Sequence, residues 1–184
     1  MKLKFEPSKQ WSVDFKQHGL FKDLIALFKL DQNDQWPNCD WLNSHIKDLM
    51  LSSGKKLNFI PDPHIQDDPR YYEQIIYETG TVPTRIDNWH DLFGGLTWIL
   101  FPKTKTLLNK MHIEQINEHG LVKRSTSRNA ITLLDECGIL FPYNTDNPIS
   151  EQIKDSLKNH LWDDAFVTHR AQWGENIAAF MFGH

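Results

Sequence analysis

The stretch Gly80-Thr81-Val82-Pro83-Thr84-Arg85-Ile86-Asp87-Asn88-Trp89-His90-Asp91-Leu92-Phe93-Gly94-Gly95-Leu96-Thr97-Trp98-Ile99-Leu100-Phe101-Pro102 sets four ionisable side chains against an almost unbroken apolar run. Burying an unpaired charge is strongly unfavourable, so Arg85, Asp87, His90 and Asp91 must reach water, satisfy one another or bind something. From Trp89 to Phe101, apolar residues cover nearly every face of a helix, and such a helix belongs in a core. Asp87 or Asn88 supplies its N-cap. Gly94-Gly95 in the middle costs about 1 kcal/mol per glycine relative to alanine, which predicts either that another backbone approaches closely there or that the helix bends, a close-packed neighbour being the simpler reading.

Working outward, Pro102 fits the first position of a further helix over Lys103 to Glu118, ended by His119-Gly120. Thr126 or Ser127 starts another that stops at Gly138. Ile139-Leu140-Phe141 reads as a short strand, Ile149 to Trp162 as an amphipathic helix, and Phe166 to Phe182 as helical again. Upstream, Leu20, Phe21, Leu24, Ile25, Leu27 and Phe28 recur at helical spacing. A second helix starts near Pro37-Asn38 and runs through Trp41, Leu42, Ile46 and Met50 to Ser52-Ser53-Gly54, with His45 on its apolar face as a satisfied core or boundary residue. Leu57, Phe59 and Ile60 form a strand ended by Pro61-Asp62-Pro63. Tyr71 to Thr79 reads as a second strand closed by Gly80, with a helical turn over Glu73 to Glu78 as the alternative. The fold class predicted is α+β, predominantly α-helical, with a helical core, a few short strands and a single domain over residues 1–184.

A chain of 184 residues with 40% hydrophobic residues, seven Trp and eleven Phe buries a sizeable core and is not globally disordered. Its net charge of -4 gives no long-range attraction to phosphate backbones or anionic lipid. The best basic patch, Lys123-Arg124 with Arg128, is short and lacks stacking aromatics, so nucleic acid is not an expected partner. Cys39 and Cys137 have no second thiol at metal-ligand spacing, and a reduced cytoplasmic compartment is the simplest reading. No secretory signal or membrane span is found.

The segments Glu78-Thr79-Gly80, Val82-Pro83-Thr84-Arg85, Asn88-Trp89-His90-Asp91-Leu92-Phe93, Phe101-Pro102-Lys103-Thr104-Lys105 and Arg128-Asn129-Ala130-Ile131-Thr132-Leu133-Leu134-Asp135-Glu136 together resemble an uncharacterised proteobacterial family, a domain of unknown function. The resemblance covers most of the chain after the first forty residues, and His-Asp-x-Phe and Thr-Leu-x-Asp-Glu are its most specific parts. It implies no activity, because the family has no established chemistry. Members typically carry Asn where Gly94 stands, and they continue past a Gly-His pair resembling Gly183-His184. This chain is therefore expected to be a shortened form whose missing tail covers apolar surface, unless Gly183 simply ends a helix.

Three readings of the ionisable residues follow. His90, Asp91, Asp135, Glu136 and His184 supply nitrogen and oxygen donors suited to a divalent zinc, manganese or iron ion, although no His-x-x-x-His or His-Glu-x-x-His spacing unites them. Metal-dependent hydrolysis is the enzyme alternative. Without a metal, His90 oriented by Asp135, with Arg85 gripping an anion, makes a minimal proton-transfer site, and Arg85 and Arg128 are the candidate ligand-binding residues. The plain structural reading has Arg85 bridging Asp87 or Asp135, His90 capping a helix, and Asp91 meeting a helix dipole. His112 and His119, flanked by Lys110 and Glu118, are read as facing solvent. His160 with Asp163 and Asp164, and His169 with Arg170, read as surface features. Trp36, Trp41, Trp162 and Trp173, most of them expected in the core, can serve an interface for a protein partner or a second copy of the chain, and an unknown small molecule is the other expected partner.

Overall fold

The computed structural model describes residues 10–62 and 68–183. They fall into two compact units, 10–131 and 132–183. The fold is α+β and predominantly α, as the helical periodicities predict.

The first unit opens with two 3-10 turns, Asp14–Gln17 and Gly19–Phe21, leading into α1, Lys22–Phe28. Helix α2, Cys39–His45, starts where Asn38 Oδ1 accepts from the Trp41 amide at 2.9 Å. It ends at His45, five residues short of Met50, to which the helix is predicted to run. The Leu57 amide donates to Leu49 O and the Leu51 amide to Lys55 O, both at 2.8 Å, so Leu49 and Leu51 are drawn into extended pairing. His45 sits at the boundary, its Nδ1 2.8 Å from Trp41 O, as expected of a satisfied histidine.

Strand β1, Asn58–Pro61, pairs in parallel with β2, Thr81–Thr84, matching Phe59 to Val82 and Ile60 to Pro83. Parallel neighbours need a crossover, and α3, Tyr72–Thr79, supplies it. Residues 72–79 are thus a helix, which corrects the strand reading and bears out the alternative. Ile75 and Ile76 are buried side by side on that helix. The strand β2 itself was not anticipated, because Pro83 interrupts its pattern. A proline fits a two-stranded sheet, where each strand has an unpaired side.

Helix α4, Trp89–Leu100, and helix α5, Pro102–His119, follow as predicted, Asn88 rather than Asp87 providing the cap of α4. A Cβ built on Gly95 would lie 2.8 Å from Leu42 Cδ2, so the predicted close neighbour is a side chain of α2. Around this contact Leu42, Leu57, Phe59, Val82, Leu92, Leu96 and Trp98 form the core of the unit. The paired amide of Asn43 on α2 copies a strand, donating to Phe59 O at 2.9 Å and accepting from Phe59 N at 2.8 Å.

Helix α6, Thr126–Cys137, agrees with its predicted limits, and the division between units falls within it. In the second unit, β3, Ile139–Leu140, pairs antiparallel with β4, Phe180–Met181. Helix α7, Pro148–Lys158, is shorter than predicted, and the helix expected over Phe166 to Phe182 is not formed. That segment makes a π-helical turn at Asp164–Thr168, a 3-10 turn at Arg170–Gln172 and then β4. The Phe182 amide bonds Gly138 O at 2.8 Å and the Ala178 amide bonds Pro142 O at 3.0 Å, so strand pairing takes up backbone groups that a helix would have used internally. Ile153, Ala165 and Ile177 form the buried centre of this unit.

Candidate functional site

The ionisable residues of the Gly80 to Pro102 stretch meet at the start of α4. Asn88 Oδ1 accepts from the Asp91 amide at 3.1 Å. Asp91 in turn accepts from Arg85 at its backbone amide (2.6 Å), at Nε (3.1 Å) and at Nη2 (2.6 Å). A guanidinium gripping a carboxylate with two nitrogens is a strong and directional pair, and the Asp91 bonds raise the Arg85 pKa above its ordinary value. Arg85 is thus bridged to Asp91, and not to Asp87, one of the partners the sequence suggested. His90 is exposed on the first turn of α4. Asp135, buried, and Glu136, exposed, belong to the second unit, and His184 lies outside the described residues. Among the described residues no three His, Cys, Asp or Glu side chains form a group that could hold a metal ion.

A second polar arrangement, which sequence reasoning missed, lies inside the first unit. Lys105, Asn109 and His112 occupy the buried face of α5 at spacings of four and three. Asn109 Nδ2 donates to Glu73 O at 3.0 Å and to Glu73 Oε2 at 2.7 Å, tying α5 to α3. Arg128, only 2% exposed, stacks its guanidinium 4.8 Å from the Tyr71 ring and donates from Nη1 to Leu121 O at 3.2 Å. Lys105 Nζ lies 5.2 Å from the Trp98 ring centroid. His112 is buried, which corrects the solvent reading, and the burial of Arg128 removes it from the basic patch with Lys123 and Arg124. The available signal was positional: residues 105, 109 and 112 share a helical stripe with Leu108 and Ile116.

The third feature is a cleft of about 580 Å³ lined by Gln10, Trp11, Asp34, Gln35, Trp36, Pro37, Asn38, Ile86 and Asp87. Its walls come from the segment before the first 3-10 turn, the approach to α2, and the loop between β2 and α4. Trp11 and Trp36 meet with ring centroids 5.0 Å apart and planes inclined at 63°, so they form a corner. Trp89 at the head of α4 backs both rings, 5.1 Å from Trp11 and 4.9 Å from Trp36. Phe93, one turn on, stacks on Trp89 at 5.7 Å. Trp11 Nε1 donates to Asn33 O at 2.8 Å, which fixes that ring and spends its polar atom. Asp87 sits in the left-handed region at φ 54°, a conformation that non-glycine residues adopt at some cost, though aspartate tolerates it better than most. Of the other tryptophans weighed for an interface, Trp41 packs on His45 at 4.2 Å and Trp173 donates to Ala165 O, whereas Trp162 is exposed.

Elsewhere, His160 is exposed and stacks on Trp162, while His169 Nε2 lies 3.6 Å from Asp164 Oδ1. No described helix is long and apolar enough to cross a membrane. No curated protein and no solved structure matches this sequence. A family model described as protein of unknown function, DUF3025, matches residues 57–184, from the residue before β1 onward, and the chain belongs to that family.

Proposed function

We propose that this chain is a ligand-binding domain of the bacterial cytoplasm that takes a small molecule in the Trp11 and Trp36 cleft. The observation that carries the reading is the cleft itself: its volume of about 580 Å³ suits a small organic ligand, and its aromatic walls stand beside polar groups able to orient one. The aromatic packing behind the cleft, through Trp89 and Phe93, supports a preformed surface that loses little freedom on binding. The free thiols of Cys39 and Cys137 suit a reducing compartment. The hydrolase alternative needs His90 joined by further donors, and the described residues assemble no such trio.

The test is a fragment screen by nuclear magnetic resonance on the whole chain, following the seven tryptophan indole resonances. Fragments should shift the Trp11 and Trp36 signals while Trp98, buried in the core, stays fixed. A screen whose hits leave both cleft signals unmoved overturns the reading.

A further inference from the structure

Resting on the cleft as the binding site, we propose that its ligand is an organic cation, a protonated or quaternary amine. Two independent features of the lining carry this. The first is charge. Asp34 and Asp87 are the charged side chains among the nine that line the cleft, both are exposed, and no Lys, Arg or His stands with them. Neither carboxylate takes part in an ion pair among the described residues, because the nearby guanidinium of Arg85 is held by Asp91. Among the described residues, the cleft therefore presents two negative charges that no ion pair neutralises.

The second feature is the aromatic corner. The indole ring carries a negative face, and a cation near that face is attracted more strongly by tryptophan than by the other aromatic residues. Trp11 and Trp36 both line the cleft, and although Trp11 stacks one face on Trp89, the exposed parts of the two indoles are the aromatic surface within reach of a guest. Trp11 already donates its N–H to Asn33 O, so what that residue has left for a ligand is its π surface. Asn38 Oδ1 is likewise engaged, as the cap of α2. An anion would meet two carboxylates here with no cationic side chain among the described lining residues. A neutral guest would gain the stacking and forgo the electrostatic attraction, while an amine gains both.

Choline and its neutral carbon isostere, 3,3-dimethylbutan-1-ol, separate the two contributions, since they share shape and differ in charge. Titrations followed at the Trp11 and Trp36 indole signals should show choline binding about tenfold or more tighter than the alcohol. The double variant Asp34→Asn, Asp87→Asn preserves side-chain shape, and asparagine tolerates the left-handed backbone at position 87. It should lose that preference while keeping its fold. Equal binding of the two probes, or a choline preference that survives in the double variant, overturns the cation assignment and leaves the cleft as a binding site. Should neither probe move the two signals, the assignment is overturned, and the fragment screen alone then decides whether the cleft binds anything.

Discussion

Arg70 joins both ends of the crossover helix. Its Nε and Nη2 donate to Asp68 ahead of α3, the latter at 2.5 Å, while Nη1 reaches Glu78 in the last turn at 2.7 Å. The guanidinium bonds hold the Asp68 carboxyl down at about 2, against an ordinary value of 3.8. A carboxyl whose pKa is depressed in the folded state stabilises that state above the unfolded value, and the contribution disappears as pH falls through the folded one. The clamp therefore acts in full above pH 4 and is lost toward pH 2. In an Arg70→Ala variant, carbon-detected titration should return Asp68 to near its ordinary value, whereas an unchanged Asp68 would assign the depression to the backbone.

At the scale of elements, two glycines mark where helices meet other parts of the first unit, and they differ in what opposes a side chain. Gly80 ends α3 at φ 78°, and a Cβ there would lie 2.2 Å from Lys56 O, a backbone atom with nowhere to move. Gly80→Ala should cost roughly 3 kcal/mol, from the left-handed backbone together with the clash. At Gly95 the obstacle is the tip of the Leu42 side chain. Alanine there gains about 1 kcal/mol of helix propensity and loses about 1 to 3 kcal/mol to overpacking in a filled core, for a net loss of about 1 kcal/mol. Urea denaturation of the two variants should rank them in that order. The reverse ranking would mean that Leu42 cannot relax and that the turn at Gly80 can.

For the molecule as a whole, the two thiols report on different surroundings. Cys39 lies in the core of the first unit, where burial raises its pKa despite a hydrogen bond with Thr84. Cys137, at the end of α6, is exposed. Thiolate is the reactive form, so an aromatic disulfide reagent should modify one thiol of the native chain quickly and the second only on unfolding. Rapid reaction of both would show that the first core opens readily. The second unit also leaves Ile139, Leu140, Phe180 and Met181 of its small sheet exposed. Its buried centre of Ile153, Ala165 and Ile177 is correspondingly small.

Local chemistry determined much of this protein from the sequence alone. The limits of α4, α5 and α6 follow from Asn88, Pro102, Gly120 and Gly138, because caps and breakers act on the backbone beside them. The predominance of helix and the need to satisfy the Arg85 to Asp91 charges were legible for the same reason. Other outcomes were decided by partners distant in the chain. Residues 72–79 became helix because β1 and β2 run parallel and need a crossover, and α2 stopped early because Leu49 and Leu51 pair with Leu57 and Lys55. The segment after Phe166 gave up helix to pair with β3. His112 reads as wet in the sequence, and the buried bond between Asn109 and Glu73 is not legible there, since a sequence shows a side chain's polarity and not the partner that meets it. The Trp11 and Trp36 cleft draws on three segments spread over nearly eighty residues. Periodicity and capping are short-range and so are written in order along the chain, whereas a cleft exists only when folding brings remote residues within reach of one another.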